Sequence, residues 1–501
     1  MFARISTFFR LSRRELTALL VVFALTLPAV TPRLYSSDEI QYFSYLRSLW
    51  FDHDVSFENE YRYFYDRGVA RTDGFYLTFL GERWTEAGRR INFGTLGSAI
   101  LWSPFYAVAD ITTRLMRAAG SGVPVDGFSR PYVTAVALGS AIYGFLAVLL
   151  AIRAARLLTG AGILAGVLVW AGTPLIFYMY AAPPFSHACS AFAVALFVTV
   201  WLHVRRDWSA RGMAALGASA ALMAMVREQD VFFALGPAID WAFAHKQSAR
   251  GRSEAPEGSA AKPRRRARAS GGGAPRALNN AVVAPLAGIS VFVLTYLPQL
   301  IAYRALNGHF GPSRIVMRKM TWTAPHALGV VASPEHGFFI WTPLAVLAIS
   351  GLVLMITAAR RVNVGVASAD VRRIGACMLL MVALQVYIGG SVESWTVAGA
   401  FGQRRFVALT LLLVVGLAAL WQALPAGAPH AAAGVVAALA VWWNLALIAE
   451  FATGLMDRQR LEPKRNAYHA FVTLPRMAPQ LAWRYLVQRD SFYRAPAPET
   501  R

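Results

Sequence analysis

Two adjacent carboxylates, Asp38 and Glu39, follow the first strongly apolar run of the chain, within Ser36-Ser37-Asp38-Glu39-Ile40-Gln41-Tyr42-Phe43. A carboxylate at the mouth of a hydrophobic segment is costly to desolvate unless it is paired or used. Like charges side by side favour a raised pKa in one of them. Such a group can take a proton from a hydroxyl or ligate a divalent cation. The plainer alternative is structural: Ser37-Asp38 before an apolar-periodic run makes a good helix N-cap.

More acids follow in Phe51-Asp52-His53-Asp54 and Phe57-Glu58-Asn59-Glu60-Tyr61. Carboxylates accept hydrogen bonds from hydroxyls and rings stack on the apolar face of a pyranose. Asp52, Asp54 and Glu58 are therefore candidates for sugar contacts, against the alternative of a solvated loop. His187, ending Pro183-Pro184-Phe185-Ser186-His187, is a candidate proton carrier or metal ligand, or else a hydrogen-bonded structural histidine. Arg227 in Arg227-Glu228-Gln229-Asp230 needs a partner, either those acids or a substrate anion. Ser394-Trp395 and Gly399-Ala400-Phe401-Gly402-Gln403-Arg404-Arg405-Phe406 place two arginines beside glycines at the edge of an apolar run. A guanidinium stays charged and makes bidentate contacts, which suits a phosphate. Snorkelling at a helix end is the alternative. Arg314, Arg318, Lys319 and His336 extend the same basic surface.

The elements that must position these residues are apolar helices. Of 501 residues, 56% are hydrophobic and 15% charged, with a mean hydropathy of +0.44. Repeated apolar runs argue for one polytopic all-α membrane domain over residues 1–453. The net charge of +22 sits mostly between those runs. The positive-inside rule and anionic lipids explain that placement, so it does not indicate nucleic acid. Arg4, Arg10, Arg13 and Arg14 precede a first run over 16–32, read as a retained helix with a cytosolic N-terminus. Residues 33–130 form a first outer loop. Within it, Phe43, Tyr45, Leu46, Leu49 and Trp50 recur at helical spacing, as in an interfacial helix.

Further runs cover 131–152, 160–180, 188–204, 212–226, 231–245, 281–303, 337–358, 374–390, 405–423 and 431–453. Residues 94–113 contain Pro104 and Asp110. Treating them as re-entrant or interfacial keeps the arginine-bearing loops on one side, and predicts eleven spans. Residues 246–280 carry nine Lys/Arg, including an RRRAR run, and read as a disordered cytosolic loop. Residues 454–501 read as a short extracytoplasmic tail. Cys189 and Cys377 lie in apolar runs and read as core residues.

With Asp38-Glu39 directly after the first span, a long first outer loop, short arginine loops and a G-x-F-G-x-R pattern ending at Arg404, the chain resembles the GT-C class of integral-membrane glycosyltransferases. The resemblance covers most of residues 15–453. It is nearest to bacterial relatives of the protein O-mannosyltransferases and aminoarabinose transferases. It implies a polyprenyl-phosphate sugar donor, a lipid, glycan or protein acceptor, and inverting transfer on the outer face of a bacterial cytoplasmic membrane. It makes Asp38 the base or orienter, Glu39 its neighbour in substrate or metal binding, and Arg404 or Arg405 the phosphate holder. Some relatives use a divalent cation and others do not. The chain departs from that pattern where Arg90-Ile91-Asn92-Phe93-Gly94-Thr95 replaces a KPP-like stretch. It also has no large soluble domain after residue 453. A transporter or flippase of a lipid-linked glycan is the alternative; Glu450 and Asp240 would be its ion-coupling candidates.

Overall fold

The computed structural model describes residues 11–81, 83–253, 273–362, 366–397 and 399–492. The protein is all-α, with no strand among the described residues. In chain order the helices used below are α1 (Arg13–Thr26), α2 (Ser37–Arg47), α3 (Glu58–Asp66), α4 (Gly97–Ala118), α5 (Arg130–Thr159), α6 (Ile163–Gly172), α7 (Leu175–Tyr180), α8 (His187–Val204) and α9 (Ala210–Val226). They continue with α10 (Leu235–Ser253), α11 (Gly273–Asn307), α12 (Leu344–Thr357), α13 (Ser368–Ser391), α14 (Thr410–Ala423), α15 (Ala428–Thr453) and α16 (Leu474–Val487).

Six described segments are long and apolar enough to cross a membrane: α5, α8, Val282–Asn307 of α11, α13, Arg404–Ala423 and α15. Three more apolar helices, α6, α9 and α12, are shorter. Proline and local turns account for part of the shortfall from the expected runs. Pro28 follows α1, Pro174 separates α6 from α7, and Pro343 precedes α12. Proline lacks an amide donor and clashes with the preceding turn, so it divides a run that hydropathy alone reads as continuous.

Contacts fix the direction of the helices. Glu15 in α1 pairs with Arg156 of α5 at 2.5 Å, and Phe23 stacks on Phe145 at 4.2 Å, so α1 and α5 are antiparallel. In α5 and α8, Tyr143 meets Phe192 at 4.8 Å and Arg153 meets His203 at 3.2 Å; these two run in the same direction. One end of the bundle is thus rich in arginine. There Arg205 binds Asp240 at 2.9 Å and Asp370 at 3.0 Å. Arg373 binds both acids as well, at 2.5 and 2.6 Å. This network, centred on the buried Asp240, ties α8, α10 and α13 together.

The other end carries the long loop that follows α1. Helix α4 begins where Gly97 lies against the backbone of Met225 and Val226, at the end of α9. From there Trp102 donates to Ser140 at 2.8 Å, and Tyr132 donates to Asp110 at 2.7 Å. Helix α4 therefore climbs toward the start of α5, away from the arginine-rich end, and both its ends lie on the side of the loop. With 30 residues, α5 is roughly 45 Å long, and its first half stands beside α2, α3 and α4. Aromatic contacts fill that assembly: Phe43 on Tyr106 at 6.3 Å, Tyr63 on Phe128 at 3.8 Å and Phe51 on Tyr132 at 5.7 Å.

The segment 246–280 is partly helical, since α10 reaches Ser253 and α11 begins at Gly273. The RRRAR run lies outside the described residues. Cys189 and Cys377 are buried and free.

Candidate functional site

Local sequence explains where Asp38 stands. Ser36 is the N-cap of α2, and its hydroxyl accepts from the amide of Glu39 at 3.3 Å. Glu39 reaches back to the amides of Tyr35 and Ser36, both at 3.0 Å. This is a capping box, which satisfies the free amides of a helix start. The cap is thus Ser36, not the expected Ser37-Asp38. Glu39 is fully buried in this role, and its Oε1 has no hydrogen-bond partner. Burial is the main reason its carboxyl is pushed up to about 8; the amides oppose this, and the charge of Asp38 adds a little. Glu39 lines no cavity with Asp38 and acts as a structural cap.

Asp38, one residue earlier on the helix, pairs with Arg404 at 2.8 Å. The pair forms a wall shared by two cavities. The first, about 530 Å3, holds Asp38, His187, Arg227, Glu228, Lys319, Arg404 and Arg405, with apolar lining from Phe232, Met317, Trp322 and Ile388. The second, about 270 Å3, is lined by Tyr35, Ser36, Asp38, Phe177, Tyr178, Phe185, Phe401, Arg404 and Phe451.

The loop ahead of α14 presents the two arginines through its glycines. Gly399 and Gly402 have φ of +74° and +60°, and a Cβ at Gly402 would lie 2.8 Å from Pro174. Neighbours lock the loop: Tyr178 donates to the carbonyl of Phe401 at 3.0 Å, and Gln385 donates to that of Arg405 at 2.9 Å. Arg404 lies over the Phe185 ring at 5.4 Å. Arg405 donates to the Ser394 carbonyl at 3.0 Å and its hydroxyl at 3.2 Å.

Arg227 donates to Nδ1 of His187, and to Gln229 at 3.3 Å. A guanidinium has no acceptor atom, so that ring nitrogen carries no proton. Arg227 thus hydrogen-bonds His187 and Gln229, while its charge acts on Asp230 through space. Asp230 is buried and accepts from Ser190 at 2.6 Å, while Glu228 accepts from the Tyr303 hydroxyl. Burial raises the pKa of Glu228, with the Tyr303 bond opposing.

Five sequence-derived candidates, Asp38, His187, Arg227, Arg404 and Arg405, thus converge on one cavity. Asp52, Asp54 and Glu58 do not reach it. Asp52 is held by Arg47 and by Asn59 at 2.7 Å. Asp54 accepts from Ser48 at 2.7 Å and the Ser56 amide at 3.0 Å. Glu58 pairs with Arg62 at 2.8 Å and Arg90 at 3.1 Å, and Arg90 then Arg62 hold its carboxyl below the usual range. These acids are held within the loop that follows α1, away from that cavity. His336 is buried against Trp341 at 4.7 Å and contacts the Ala400 carbonyl at 2.8 Å, supporting the arginine loop.

Sequence reasoning missed the cavity wall given by Phe93 and Thr95. The segment that departs from the expected KPP-like stretch is a strap. Its Phe93 amide donates to Gln41 at 2.7 Å, its Thr95 hydroxyl to the Val226 carbonyl at 2.9 Å, and the next amide, Leu96, to Gln299 at 2.8 Å. The signal available was the polar Asn92-Phe93-Gly94-Thr95 just ahead of a helix. Among the described residues, no three His, Cys, Asp or Glu side chains gather as a metal-ligand group. The surroundings of Asp38, dominated by guanidinium groups, do not fit a divalent cation. Comparison with protein-family models, curated proteins and solved structures returned no match.

Proposed function

We propose that this protein is a GT-C-like membrane glycosyltransferase that moves a sugar from a polyprenyl phosphate to an acceptor hydroxyl. The observation that carries the reading is the Asp38–Arg404 pair, a carboxylate and a phosphate-type cation shared by two cavities. In this reading the donor phosphate lies in the larger cavity among Arg404, Arg405, Arg227 and Lys319, with its first prenyl units on the apolar lining. The acceptor hydroxyl arrives from the smaller cavity. Its oxygen attacks the anomeric carbon and its proton passes to the Asp38 carboxylate. The bond from anomeric carbon to phosphate oxygen breaks, and the electron pair leaves on the phosphate, with inversion. Arg404 then exchanges Asp38 for the phosphate, where charge develops and a positioned cation helps most. The chain makes eleven passages, with the arginine-rich end in the cytosol and the two cavities on the outer side of a bacterial cytoplasmic membrane.

The alternative is a flippase of a lipid-linked glycan, with Asp240 and Glu450 as its ion-coupling candidates. Asp240 is bound by Arg205, Arg373 and Trp201, and Glu450 by Asn466 at 2.6 Å. Radiolabelled polyprenyl-phosphate sugars, supplied with a crude envelope extract to the purified protein, separate the two. Glycosyl transfer leaves label on a new carrier. Label that crosses a vesicle membrane still attached to its lipid would refute the transferase and support the flippase.

A further inference from the structure

The tail beyond α15 folds back on the bundle. The helical segments Pro463–Tyr468 and His469–Thr473 run directly into α16. Both ends of this piece are tied on the side of the cavities. Asn466 donates to Glu450 at 2.6 Å, next to Phe451, which lines the smaller cavity. Arg489, just past α16, donates to the carbonyls of Pro28 and Ala29 and to the Thr31 hydroxyl, the last at 3.1 Å. Between these ties the piece dips along α15. Trp442 donates to the Ala470 carbonyl at 3.2 Å, roughly 16 Å along α15 from its end at Thr453. Tied at both ends on one side, the piece returns rather than crosses.

Its residues divide among three sides. Ala470, Leu474 and Leu481 face α15 and pack with Ala446 and Trp443. Arg476, Gln480 and Gln488 are polar and exposed, at spacings of four and eight. Phe471, Pro475, Pro479, Trp483 and Leu486 recur every three or four residues and are exposed too, Trp483 by 66% and Leu486 by 80%. That spacing puts these five on one helix face, which no described residue covers. The face begins beside Trp442, which with Val435 and Leu439 belongs to the exposed apolar surface of α15, a helix long and apolar enough to cross a membrane.

We infer that this face is seated in lipid: the tail is an in-plane helix sunk into the membrane leaflet on the side of the cavities, with acyl chains as its partner. The hydrocarbon that covers α15 continues onto the stripe at Phe471. Arg476, Gln480 and Gln488 look toward headgroups and water. Trp483 lies at the boundary, where an indole keeps its apolar body in lipid and its N–H at the wet edge. The seat depends on apolar burial and not on headgroup charge, and it stands apart from the transferase reading.

The test uses the full-length protein in vesicles of phosphatidylcholine, a neutral lipid. Leu486→Cys, Phe471→Cys and Gln480→Cys, made singly, each carry a fluorophore attached through a maleimide. The native Cys189 and Cys377 are buried, and wild type treated alike gives the background. All three substitutions replace exposed side chains, so the fold does not depend on them. The labels on Leu486→Cys and Phe471→Cys should lose most of their emission to spin-labelled acyl chains and little to iodide supplied on both sides of the vesicle. The label on Gln480→Cys should show the reverse. Iodide quenching on Leu486→Cys and Phe471→Cys as strong as on Gln480→Cys would put the face in water and overturn the inference. Shielding of both from iodide and from spin-labelled lipid alike would mean a protein partner, a second copy of the chain included, and would also overturn it.

Discussion

The carboxyl of Glu39 accepts two backbone amides inside the protein and is pushed up to about 8 by burial. Its folded-state pKa lies above the ordinary value of 4.5, so the unfolded chain loses this proton first. Its contribution to stability is complete below 4.5 and is lost as the pH rises toward about 8. Glu39→Gln keeps an oxygen for the Tyr35 and Ser36 amides and cannot ionise. Its melting temperature should fall less than that of wild type over this range; parallel slopes would show that Glu39 is not the titrating group. At Arg404 the prediction concerns rate. Arg404→Gln removes the cation paired with Asp38 and should lower kcat about a hundredfold or more, with the fold retained by circular dichroism. The acidic pair and the two arginines were legible as chemistry from type and position. The division of labour between Asp38 and Glu39 was also written there, as Ser36-x-x-Glu39, but it reads as a cap only when that spacing is weighed above the charge. The partners of Asp52, Asp54 and Glu58 lie mostly within seven residues and were open to view in the sequence; only Arg90, 32 residues from Glu58, needed the fold.

At the scale of elements, small residues decide how closely helices approach. A Cβ at Gly351 of α12 would lie 1.7 Å from the Gly416 carbonyl of α14, and one at Gly217 of α9 would lie 2.0 Å from the Gly288 carbonyl of α11. Backbone cannot rotate aside as a side chain does. Gly351→Val should therefore destabilise by about 1–3 kcal/mol or prevent folding, read as a lower melting temperature in detergent, while Gly427→Ala, with open space around it, serves as a strained but uncrowded control. Helix α4 makes a second prediction. Both its ends lie on the side of the long loop, so Ser121→Cys just after it and Thr72→Cys before it should react with an impermeant maleimide from the same side of the membrane. Labelling from opposite sides would mean that α4 crosses. The positions of apolar runs were legible because hydropathy needs no partner. Their division at Pro28, Pro174 and Pro343 was written in the sequence, yet how far each helix bends or breaks depends on what packs against it. The strap over residues 90–96 was not legible, since its register is set by Gln41, Val226 and Gln299.

At the scale of the whole molecule, the protein is a helical bundle with one end bound by an ionic network around the buried Asp240 and the other opened by adjoining cavities. The network of Arg205, Arg373, Asp240 and Asp370 keeps α8, α10 and α13 together at the end opposite Asp38. The aromatic assembly on α4 and α5 holds α2, and hence Asp38, against the arginine loop. The long loop that follows α1 thus brings one carboxylate, Asp38, to the mouth of the bundle, and in the proposed reaction this carboxylate does chemistry that its neighbours in the loop do not. The measurement that tests it most directly compares wild type, Asp38→Asn and Asp52→Asn for movement of radiolabelled sugar off polyprenyl phosphate. Label should move with wild type and Asp52→Asn and stay on the lipid with Asp38→Asn, all three proteins being folded. Full transfer by Asp38→Asn would contradict the account.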